Sequence, residues 1–176
     1  MRFGPAFLIA LALPFGAGAE AVRDVSRPMM VVEGFDKARL VGDWYEVAST
    51  RNAYERDCHG VTTEIAARDD SRLTLKIACH IGSLSGPVVP IDGVMAEVAP
   101  GLYQVRFVRL PQLGNLDLAV LWAAADDSMV VLGSPLGQVG WLLAKEAKPD
   151  AAAYAAGVQV LVENGYAPRA IAPVEQ

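Results

Sequence analysis

The chain has 176 residues, 53% of them hydrophobic, and 20 acidic against 15 basic side chains give a formal net charge of −5 at pH 7. That length suits one domain with a real core. An acidic chain without a basic stripe is a poor partner for nucleic acid, so none is expected.

Arg2 is followed by the short apolar run Phe7-Leu8-Ile9-Ala10-Leu11-Ala12-Leu13, and Ala17-Gly18-Ala19 then offers the small residues of a cleavage site. The apolar run is shorter than the roughly 20 residues a bilayer span needs. Residues 1–19 are therefore expected to be a signal peptide and residues 20–176 a single domain, periplasmic or secreted. The alternative is a retained N-terminal anchor. No cysteine lies near the cleavage site, so the mature chain is not expected to be a lipoprotein.

Residues 20–37 form a mixed lead-in expected to drape over the outside of the fold. Period-2 patterning follows. Val61, Thr63 and Ile65 predict one strand; Leu73, Leu75, Ile77, Cys79 and Ile81, alternating with Arg72, Thr74, Lys76, Ala78 and His80, predict the next. Residues 67–72 are the polar turn between them. Tyr103, Val105 and Phe107 alternate with Gln104 and Arg106 after the break Ala99-Pro100-Gly101. Further strands are expected around 88–98, 116–124, 129–132 and 139–145. Near-even spacing of short strands fits a sandwich or an up-and-down barrel. Residues 149–164 differ: alanine-rich, with Pro149 at a first-turn position and Gly165 as a left-handed cap, they predict one helix. Tyr154, Val158, Leu161 and Val162 share a side of it that should pack on the sheet. A short extended run ends the chain.

The segment Gly42-Asp43-Trp44-Tyr45-Glu46-Val47-Ala48 resembles the first lipocalin signature, in the variant of bacterial lipocalins and their apolipoprotein D-like relatives. Asn52-Ala53-Tyr54-Glu55-Arg56 is similar to the loop that follows it in that branch. Gly133-Ser134-Pro135 with Trp141-Leu142-Leu143-Ala144-Lys145, and Leu161-Val162-Glu163-Asn164-Gly165-Tyr166, resemble later family segments. The resemblance implies an all-β fold: an eight-stranded antiparallel up-and-down barrel, lipocalin-like, with one C-terminal α-helix. It also implies that Gly42, Trp44 and Lys145 build the closed end, Lys145 standing where the family has arginine. Asp126 is followed by Asp127 where relatives carry an aromatic residue.

In such a barrel the inward positions are expected to be Ala48, Ile65, Leu75, Ile77, Val105, Phe107 and Leu121, with Tyr54 at the rim. Glu46, two residues beyond Trp44, shares the inward face. It could anchor a ligand head group or be satisfied by a structural partner. The implied function is an exported carrier of a small hydrophobic ligand, of the fatty acid or lysophospholipid kind, with no cofactor and no catalysis. Two other classes remain: a lipocalin-fold enzyme acting on an apolar substrate, and an interaction protein with a closed lumen. For the last, Tyr54, Leu110-Pro111-Gln112-Leu113 and Leu136 would form a rim patch, which could equally guide ligands in or touch a membrane transiently. Oligomeric state is not legible.

Cys58 and Cys79 in an exported chain predict one disulfide, placed at the mouth because strand two starts and strand three ends there. Cys58-His59 with Cys79-His80 could instead be a four-ligand metal set. Neighbouring strand residues point to opposite faces, which argues against that, so no metal is expected.

Overall fold

The structure, a computed structural model, describes residues 22–50, 55–108 and 114–176. Eight strands follow in order: β1 (Gly42–Ser49), β2 (Cys58–Ala67), β3 (Leu73–Ile81), β4 (Val88–Ala99), β5 (Leu102–Phe107), β6 (Asn115–Ala123), β7 (Met129–Gly133) and β8 (Gly140–Ala144). Each pairs antiparallel with the next, and β1 pairs with both β2 and β8. The sheet therefore closes on itself as an up-and-down barrel, which removes its open edges. The helix α1 (Ala151–Glu163) follows, and β9 (Ala172–Pro173) then adds to β1.

The segment before β1 runs along the outside, tied by Val32 N–H to Val120 O at 2.9 Å. The buried Arg23 guanidinium donates to the carbonyls of Asn164, Pro135 and Arg27. A 3-10 turn, Lys37–Leu40, opened by the Asp36 side chain accepting from Ala38 N–H, then crosses one end of the barrel. That end is closed. The opposite end, where β1 finishes and β2 begins, is the mouth.

Two apolar clusters follow from the period-2 alternation of strands. One fills the barrel; the other lies between its outer wall and α1. Ala48 and Leu121 belong to the second, which corrects their expected place on the inner wall. In β1 the register with β8 shifts between Glu46 and Ala48. Val47 and Ala48 both turn outward, and Ser49, opposite the inward Trp141, takes the inner position instead. In β6 plain alternation already puts Leu116, Leu118 and Val120 inward and Ala119 and Leu121 outward, and the register shift between Val120 and Trp122 then turns Trp122 outward as well. One extra residue in a strand reverses the face of everything beyond it.

The helix is one residue or two shorter at its start than the alanine-rich segment suggested. Pro149 lies before the cap, and Asp150 caps the helix by accepting from Ala152 and Ala153 N–H. Its end is as expected: Gly165 has φ +90°, with Gly165 N–H bonded to Val162 O and Tyr166 N–H to Leu161 O. Gly157 sets the closeness of approach. A Cβ there would lie 2.5 Å from Leu142 Cδ1 on β8, so any side chain there requires Leu142 or the helix to give way.

At the mouth β1 pairs with β2 only from Gly42 to Tyr45. Beyond the bulge the C-terminal tail fills the gap. Val174 N–H donates to Val47 O at 3.1 Å, Gly60 N–H to Glu175 O at 2.7 Å, and the Gln176 side chain to Glu46 O at 2.6 Å. Val174 itself is buried in the inner cluster.

Candidate binding site

The closed end is built around Trp44. Its indole Nε1 donates to Leu40 O at 2.8 Å, and Lys145 Nζ stands 3.6 Å from its ring centroid while donating to Asp43 O at 3.2 Å. Burial holds the Lys145 ammonium below its ordinary pKa, against the opposing pull of Asp43 and Asp127. Gly42, at φ +128°, makes room: a Cβ there would sit 2.6 Å from Lys145 Nζ. Asp127 forms an ion pair at this end, accepting from Arg39 Nε at 2.6 Å. Arg39 also donates to Ala124 O and lies over the Phe35 ring at 5.2 Å.

Above this floor the interior is apolar and tightly filled. Leu75, Met95, Tyr103, Val105, Leu118, Leu132 and Leu143 are all fully buried against one another. Exposure rises toward the mouth on one side only. Ile77 is buried, Ile91 and Phe107 are half-buried, and Ile81 and Val89 are exposed. On the other side Val139 and Trp141 stay buried. The mouth thus opens along β3, β4 and β5.

The expected inner residues Ile65, Leu75, Ile77, Val105 and Phe107 all meet in this cluster. Tyr54 and Leu110 to Leu113 lie outside the described residues. Met95, Tyr103, Leu116, Leu118, Leu132 and Leu143 were missed. The signal was present for Tyr103, which alternates with Gln104 and Arg106, and for Leu116 and Leu118, which flank Asp117.

Polar groups gather on the buried side of the mouth. Glu46 faces inward opposite Leu143 and is 2% exposed. Glu55, on the loop before β2, accepts from Trp141 Nε1 at 3.1 Å and from Ser49 Oγ at 3.3 Å. Burial raises its carboxyl pKa to about 7, and those two hydrogen bonds only partly offset that. Ser49 could not be found from alternation because the bulge hides it. Glu55 could have been, since it follows Tyr54 in the loop segment already matched to relatives. Deeper down, the Tyr103 hydroxyl is buried without a hydrogen-bond partner, and burial pushes its pKa up.

Cys58 and Cys79 form a disulfide with Cα atoms 5.2 Å apart, joining the first residues of β2 to the end of β3 at the rim. Among the described residues no group of His, Cys, Asp or Glu side chains could hold a metal ion. His59 Nδ1 instead lies 2.9 Å from Glu175 Oε2. No helix is long and apolar enough to cross a membrane among the described residues.

The barrel is shared with proteins of low sequence similarity. Lobster apocrustacyanin A1 is 15% identical, with a TM-score of 0.64 over 85% of this chain and 92% of that one. The cockroach allergen Per a 4 is 17% identical, with 0.65 over 87% and 96%. Insecticyanin of the tobacco hornworm Manduca sexta is 17% identical, with 0.62 over 85% of each chain. No curated protein sequence matches this chain. The lipocalin-like domain model matches residues 35–176, nearly everything from the closed-end turn to the C-terminus, and the chain belongs to that family.

Proposed function

We propose that the chain is an exported carrier, of the bacterial and apolipoprotein D-like branch, that takes one elongated apolar molecule into its barrel through the mouth along β3, β4 and β5. The supporting observation is the graded inner wall. Fully buried aliphatic residues at the closed end give way to half-buried Ile91 and Phe107 and exposed Ile81 and Val89 at the rim. An apolar wall with a few convergent polar groups at one side is the usual make-up of a small-molecule site. A fatty acid or lysophospholipid fits it: acyl chain along Ile77, Val105 and Phe107, head group at the rim where β3, β4 and β5 open. The disulfide supports export, since such bonds persist in oxidising compartments, and removal of residues 1–19 is part of the same reading.

Native mass spectrometry of the purified mature protein tests this. A co-purifying or added long-chain lipid should appear at one per barrel, and failure of every acyl ligand to bind would end the carrier reading. The dense closed-end half of the interior supports one second reading, an interaction protein with its lumen packed shut. Enzymatic activity has no comparable support.

A further inference from the structure

Large apolar side chains exposed among the described residues are not spread evenly. Ile81, Leu84, Val88, Val89, Val108 and Leu136 crowd the mouth, against Val41 and Val98 at the closed end and Val25 and Met30 on the segment before β1. Charge is distributed the opposite way. The ion pairs Arg39–Asp127 and Lys37–Glu97, and Asp70 with Arg68 and Arg72, collect at the closed end. The chain around the mouth contains two long stretches, 81–91 and 129–144, without a single charged residue. Charged side chains described at the rim include exposed Arg56 beside Asp57, exposed Arg106, and Glu175 within 2.9 Å of His59 Nδ1. The barrel is therefore amphipathic along its axis.

We infer that the mouth of the barrel docks on the surface of a phospholipid bilayer, inserting Leu84, Val88 and Leu136 into the headgroup region. Leu84, Val88 and Leu136 are 41%, 53% and 71% exposed. They stand on or beside two separate loops, β3 to β4 and β7 to β8, on opposite sides of an opening. Such separated tips suit a deformable surface better than a single protein face. The flanking residues Ser83, Ser85, Gly86, Pro87 and Gln138 are uncharged, so burying them in an interface desolvates no charge. The net charge of −5 gives no attraction to acidic lipid, so apolar insertion into a zwitterionic surface has to supply the binding. This surface also surrounds the entrance of the proposed carrier site. The docking rests on that reading only for its purpose, not for its occurrence.

The test is flotation of the full mature protein with phosphatidylcholine vesicles. The unaltered protein should float with the vesicles and continue to do so when salt is raised about tenfold, because screening acts only on charge. Leu84→Asp with Val88→Asp, and separately Leu136→Asp, should each lower the vesicle-bound fraction several-fold, while Val98→Asp at the closed end should leave it unchanged. All these side chains are exposed, and circular dichroism checks that each variant keeps its barrel. Absence of vesicle binding would overturn the proposal, as would equal loss in Val98→Asp or binding only to acidic vesicles that salt reverses. A concentration-dependent dimer abolished by Leu84→Asp, without vesicle binding, would replace the bilayer with a second copy. Acyl-ligand binding in vesicle-free solution separates the two readings. It should survive in the Leu84 and Val88 variants, and its absence from the unaltered protein would remove the carrier while leaving a docking result intact.

Discussion

Glu55 accepts a hydrogen bond from the indole of Trp141 at 3.1 Å, which ties the loop after β1 to the inner wall of β8 through a carboxyl group held inside the mouth. Burial raises the pKa of that carboxyl from an ordinary 4.5 to about 7, so the loop's anchorage depends on pH. Between those two values the folded state holds a proton that the unfolded state has lost. Stability contributed by Glu55 is therefore complete below about pH 4.5 and declines as pH rises through 7. The loss is smaller if the loop lifts away alone and lets water reach the carboxylate. Glu55→Gln keeps an acceptor for Trp141 and removes the charge. It should flatten the loss of stability between pH 5 and 8 in denaturant melts followed by tryptophan fluorescence. An unchanged pH profile would show that the carboxyl is solvated.

The disulfide restrains the same mouth from the other side. Cys58 and Cys79 are 21 residues apart in sequence, and the chain-entropy model puts the stabilisation at about 3 kcal/mol. Removing it with paired Ser substitutions should lower the midpoint of denaturation accordingly. Hydrogen exchange should quicken at the start of β2 more than at the closed end. Mass measurement without reductant should find no alkylatable thiol.

At the closed end Trp44→Ala should cost about 3–5 kcal/mol as a large buried truncation, and Lys145→Ala about 0.5–2 kcal/mol, the range for a cation over an indole. Gly42→Ala combines a positive φ with a Cβ 2.6 Å from Lys145 Nζ. It should cost at least as much as Lys145→Ala, because it strains the backbone and also displaces the cation. Urea melts of the three variants decide this, and equal insensitivity of all of them would show the stack contributes nothing.

Strand order, the closed-end stack and the disulfide were legible because each rests on local pattern or on residue pairs with a fixed meaning: Leu73 to Ile81 alternate cleanly, Trp44 and Lys145 sit in recognisable segments, and two cysteines leave one pairing. Ala48 was misplaced for a reason alternation cannot see, whereas Leu121, of opposite parity to Leu116 and Leu118, was misplaced because β6 is apolar on both faces. A bulge adds one residue without changing composition, and both strands run through apolar residues on both faces, since α1 covers the outside. The Arg39–Asp127 pair was hidden by its 88-residue separation. Ser49 and Glu55 came together only once the bulge and the loop were placed.

That misplacement supplies the sharpest test of which wall carries the ligand. Ile77 and Phe107 lie in the inner cluster, whereas Leu121 packs in the outer cluster with Leu161 of the helix. Ile77→Asp or Phe107→Asp should abolish binding of a long-chain fatty acid or lysophospholipid, because an unpaired charge in an apolar interior is costly. Leu121→Ala should loosen the helix, at about 2–5 kcal/mol for a buried leucine, yet leave affinity at temperatures where the barrel is folded. Shortening the acyl chain should weaken binding by about 0.8 kcal/mol per methylene until the chain no longer fills the barrel. Isothermal titration across a chain-length series measures this directly. Affinity that ignores chain length and follows head-group charge would put the ligand at the rim and the interior out of use.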